Sequence, residues 1–99
     1  MSDVMMKHEL IHEVWLNPEL DGQMLPGMCL VGPMGDSFRQ LLNEGAEKIA
    51  EITGHSHFHV MTKYWALQGW GKYHALDQQD YEPYPSEWIS VQRIFLDSV

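Results

Sequence analysis

No part of the sequence carries a stronger periodic signal than Ser37–Thr53. Phe38, Leu41, Leu42, Gly45, Ala46, Ile49 and Ile52 recur at helical spacing and would line one face. Arg39, Gln40, Asn43, Glu44, Glu47, Lys48 and Glu51 fill the other. Ser37, followed three residues later by Gln40, has the form of a capping box, and Gly54 supplies a left-handed stop. Glu44 and Lys48 are ordered for a favourable i,i+4 pair. The pattern predicts a helix over Ser37–Thr53, with Gly45 marking a close crossing by another element.

An amphipathic helix needs a core, and 99 residues support one core rather than two. The expectation is a single domain over residues 1–99. Upstream, Glu9–Leu16 alternates and runs into Asn17-Pro18, which predicts a strand. A helix starting near Asp3 would also gather Met6, Leu10, Ile11 and Val14. Met28–Val31, bounded by Gly27 and Gly32-Pro33, reads as a short buried strand, and 17–27 between them as a connecting loop. His55–Leu67 reads as a helix with Ser56 as N-cap and Gly69 as stop. An aromatic-rich loop at 68–85 follows, then a helix over Ser86–Leu96 that aligns Trp88, Val91 and Phe95. The fold class is therefore α+β, with one or two N-terminal strands followed by two or three helices. An all-α bundle is the alternative if Asp3–Trp15 is helical.

Charge limits the partners. Fourteen Asp and Glu oppose six Lys and Arg, a net charge of -8 with neutral histidines, and most of that excess lies in residues 1–54. Such a field repels nucleic acid and acidic membrane surfaces. No run approaches the length of a spanning helix and the start does not read as a signal peptide, so a cytoplasmic protein is expected. Cys29 is the sole cysteine, set among Met28, Leu30 and Val31, where a thiol stays neutral and inert.

Three patterns raise chemistry. His8-Glu9-Leu10-Ile11-His12 has the letters of the zinc-protease helix HExxH, and would give a metallohydrolase. Only seven residues precede it, and a strand would void it by separating the histidines. His55-Ser56-His57-Phe58-His59 offers three imidazoles to a divalent ion such as Zn or Ni. On a helix His55 and His59 share a face while His57 turns away. Gly32-Pro33-Met34-Gly35-Asp36-Ser37 joins strand to helix but lacks the P-loop lysine, and no Gly-x-Ser-x-Gly elbow is present. No residue is assigned a catalytic role.

The aromatics crowd the second half, where Tyr64, Trp65, Trp70 and Tyr73 could form an interaction surface. A chain this small has limited interior in which to hide them. The leading expectation is a non-enzymatic interaction or accessory protein that self-associates, its partner another copy or another protein. A divalent-metal binder using His55, His57 and His59 is the alternative.

Overall fold

Alternation in Leu10–Pro18 produces a strand, β1, whose Leu10, His12 and Val14 are buried while Ile11, Glu13 and Trp15 face the other side. The structure, a computed structural model, describes residues 8–99. β1 is the centre of a three-stranded antiparallel sheet, flanked by β2 (Met24–Leu30) and β3 (Glu47–Gly54) in the order β2-β1-β3. The register with β2 pairs His12 with Leu30 and Pro18 with Met24; that with β3 pairs Leu10 with Gly54 and Val14 with Ala50. The fold class is α+β, with this sheet and three helices. The helical alternative fails from Leu10 onward, and its Asp3–Lys7 portion lies outside the described residues.

Two expectations are corrected here. The segment Ser37–Thr53 is not one helix: α1 covers Asp36–Arg39, the chain turns through residues 40–46, and β3 follows. Leu41, which the helical pattern buries, is 79% exposed. β1 has a second edge whose N–H and C=O groups need partners, and a strand alongside it satisfies them while a helix cannot. Ile49, Ile52 and Thr53 also suit a strand, and Ala50 and Ile52 fall opposite Val14 and His12 on the buried face. Gly45 makes the turn, with φ of +94°.

The loop expected at 17–27 is a hairpin. Asn17 and Pro18 end β1, Met24–Gly27 open β2, and Gly22 N–H donates to Glu19 O across a tight turn. Pro26 sits on an edge strand, where a missing N–H costs no ladder bond.

After β3 the chain reverses at once into α2 (His57–Gln68). Ser56 caps it by accepting from His59 N–H (3.1 Å), and Gly69 ends it. A Cβ on Gly54 would stand 2.6 Å from Val60 Cγ2, so the absence of a side chain lets the helix close on the sheet. Val60 and Tyr64 of α2 meet Leu10, Val14, Ile52 and Tyr84 in the core. Leu10, Val14 and Val60 are fully buried, each contributing about 1.5–3 kcal/mol. Residues 69–85 are irregular except for a 3-10 turn at Gln78–Tyr81, and α3 spans Ser86–Asp97.

Candidate functional site

The last helix is attached by a polar residue. Periodicity aligned Trp88, Val91 and Phe95, yet the buried residue of α3 is Gln92, 2% exposed. The ladder between β1 and β2 stops at His12–Leu30. One residue further, Val31 N–H still donates to Ile11 O (3.0 Å), but Ile11 N–H donates to Gln92 Oε1 (2.7 Å) instead of to Val31. Gln92 Nε2 in turn donates to Val31 O (2.8 Å) and Ile11 O (2.9 Å). One primary amide thus continues the sheet and satisfies groups that would be costly to leave buried and unpaired.

With Gln92 facing inward, Val91 and Ile94 are left on the outward side of α3. Trp88 is 42% exposed, Val91 39% and Ile94 70%. Val91 and Ile94 stand on the solvent side of the helix, with Trp88 at its edge one turn before Gln92. α3 carries Glu87 and Asp97 against Arg93, whereas Glu19, Asp21, Glu44, Glu47 and Glu51 lie on the hairpin, the turn before β3 and β3 itself.

At its N-terminal end the helix meets a groove of about 450 Å³ lined by His57, Gln79, Glu82, Pro83, Tyr84, Pro85 and Trp88. The Tyr84 and Trp88 rings stack with centroids 6.0 Å apart. Tyr84 is held from several sides. Its hydroxyl lies 3.3 Å from His12 Nε2, its N–H donates to His55 O (3.0 Å), and its carbonyl meets His8 Nε2. Burial pushes the Tyr84 phenol up to about 12 and the His12 imidazole down to about 4. His12 Nδ1 is buried with no partner among the described residues.

Each residue singled out by sequence has a definite place. Tyr64 and Tyr73 are buried in this chain. Trp65 packs edge-on against both Trp70 (5.8 Å) and Tyr73 (5.6 Å), so these aromatics first satisfy one another. Trp70 alone of the four is largely exposed, at 49%. His55 and His59 are neighbours, with ring centroids 4.3 Å apart and His55 N–H donating to His59 Nδ1 (3.1 Å). Burial, then the charges of Lys63 and His55, lowers the His59 pKa. His57 instead lies edge-on to Tyr73, so the three imidazoles do not converge. Among the described residues no group of three His, Cys, Asp or Glu could hold a metal ion.

The HExxH letters have no helix beneath them. Glu9 precedes β1, and His12 lies within it, buried against Tyr84. An extended chain carries residues four apart roughly 13 Å along the strand, too far for two ligands of one ion. Cys29 is buried, and its thiol is pushed up to about 11 by burial despite the charge of Arg39 nearby.

The sequence carries no direct sign of the roles of Gln92, Tyr84 and Arg39, and it offers His12 only as part of the HExxH letters. Arg39 organises the other face of the sheet: Nη1 donates to Glu13 Oε1 (2.8 Å) and Leu30 O (3.0 Å), while Nη2 reaches Asp36 (2.8 Å) and the Gly32 carbonyl. Burial works against the Glu13 carboxylate, but hydrogen bonds from Trp15 and Arg39 outweigh it and hold its pKa below the ordinary value. The guanidinium occupies the Gly32–Ser37 connection and leaves it a structural joint. The one available signal for Gln92 was its position, one helical turn after Trp88 among apolar residues.

No protein-family model matches the chain, and neither the curated proteins nor the solved structures give a significant match. Among the described residues no helix is long and apolar enough to cross a membrane.

Proposed function

We propose that this is a non-enzymatic interaction protein that self-associates through the outward side of α3. The observation that carries this reading is the exposure of Val91 and Ile94, with Trp88 at their edge, on a helix whose inward position is taken by Gln92. An apolar helical face of this kind gains several kcal/mol when a partner removes it from water. A second copy is the proposed occupant, and charge selects the face it would use. Two chains of -8 repel, and α3 is where contact adds least to that repulsion, because the acids concentrate on the hairpin, the turn before β3 and β3 itself. A two-fold contact would set one such face against its twin.

Sedimentation velocity on the wild type and on Ile94→Asp tests this. The expected result is a dimer for the first and a monomer with unchanged far-ultraviolet circular dichroism for the second. A wild-type chain that stays monomeric at its highest attainable concentration overturns the proposal.

The alternative, a divalent-metal binder taking Zn or Ni, retains the adjacent pair His55 and His59 as its supporting observation. Two ligands leave the remaining positions to come from outside this cluster. Elemental analysis of protein purified without a metal-affinity step tests it, and absence of stoichiometric metal removes it.

A further inference from the structure

We infer that the groove between α3 and the 79–85 segment is a binding site for a small organic cation, a quaternary or fully methylated ammonium compound. This goes beyond the self-association reading, since it concerns a concave site at one end of the helix. The argument starts from what lines it. Trp88, 42% exposed, offers an aromatic face backed by the largely buried Tyr84 ring, Pro83 and Pro85 offer apolar walls, and Glu82 places a carboxylate there. No Lys or Arg is among the lining residues, and the whole chain carries -8.

The negative face of an aromatic ring attracts a cation, and Trp does so best. A methylated ammonium suits such a wall because its charge is spread over apolar methyl groups that lose little on leaving water. A nearby carboxylate adds attraction without demanding a hydrogen bond that methylated nitrogen cannot give. An anion would find only His57 and Gln79 as donors and would face Glu82. The groove volume of about 450 Å³ is in the range of small-molecule sites.

The walls are fixed before any ligand arrives. Ser56 and Pro83 form an isolated antiparallel bridge, and Tyr84 N–H donates to His55 O. The Tyr84 hydroxyl meets His12 in the core, so the ring cannot swing into the groove and fill it. Asp80, on the same segment, is engaged by the Tyr73 hydroxyl (2.7 Å) and the Leu76 N–H (3.2 Å), which holds the 3-10 turn. Little ordering remains to be done on binding.

The test is a titration of 15N-labelled protein with choline and with its neutral carbon isostere, 3,3-dimethylbutanol, followed at the backbone N–H groups of Glu82 and Tyr84, which line the groove and are retained in every variant. Ile94→Asp provides the background, which keeps the readout independent of self-association. Choline is expected to give a saturable shift, with the isostere about tenfold weaker. Trp88→Leu, which keeps apolar bulk but removes the ring, is expected to abolish choline binding, and Glu82→Gln to weaken it several-fold. Equal binding of choline and the isostere, or unchanged choline affinity in both variants, overturns the inference. Because the Ile94→Asp protein is used throughout, failure here leaves the self-association reading to its own experiment.

Discussion

The side-chain amide of Gln92 stands where a strand residue would, accepting from Ile11 N–H at 2.7 Å and donating back to Ile11 O at 2.9 Å. A helix is thereby joined to a sheet by backbone-type hydrogen bonding rather than by apolar packing alone. Replacing Gln92 with Leu keeps the volume but leaves Ile11 N–H and Val31 O buried without it. Urea unfolding is expected to show a loss of about 2–4 kcal/mol. Glu in its place can still accept from Ile11 but sets a carboxylate against two carbonyls, so it should be no better than Leu at neutral pH.

His12 makes stability depend on pH. Burial lowers its pKa from 6.5 to about 4 in the folded chain, so below pH 6.5 the unfolded chain binds the extra proton. The contribution is fully present above 6.5 and is lost as pH falls toward 4. At pH 5 the loss should be about 2 kcal/mol relative to pH 7.5, and near 3 kcal/mol below both values. Unfolding of the wild type and of His12→Phe across this range checks it. The difference between the two curves should carry the slope, offset by the cost of stranding the Tyr84 hydroxyl.

Gly45 separates a helix from a strand by the sign of one measurement. In the interior of a helix over Ser37–Thr53, Gly45→Ala would stabilise by about 1 kcal/mol. At φ of +94° an alanine is strained, and the same substitution is expected to destabilise by about 1 kcal/mol or more. Chemical denaturation of this single variant gives the answer.

These three positions also mark what could be read from sequence. β1 was legible because Leu10, His12 and Val14 alternate with more polar neighbours over several residues. α2 was legible because Ser56 and Gly69 are local signals that need no distant partner. Ser37–Thr53 misled because Ile49 and Ile52, three apart, satisfy helical spacing, while the strand's advantage lies in β1, far away in the chain. Gly45 was consistent with either, as a close crossing or as a turn. The inward side of α3 was hidden for a related reason. Which residue faces the sheet is decided by the open hydrogen bonds at Ile11, and these exist only once the β1–β2 register is set. The groove residues were individually visible, yet Tyr84 and Trp88 become a site only when the Ser56–Pro83 bridge brings their segment against α2.

The central position of β1 has a consequence for how the molecule comes apart. Both other strands pair with it, the core takes its Leu10 and Val14, Arg39 grips its Glu13, and Gln92 grips its Ile11. A slip of one residue along that strand would turn Glu13 toward the core and expose Val14, undoing all of these links together. The molecule is thus wired through a hub, and no peripheral piece keeps its attachments once the hub shifts. Loss of structure should therefore be all-or-none, with the sheet and helices α2 and α3 disappearing in the same transition.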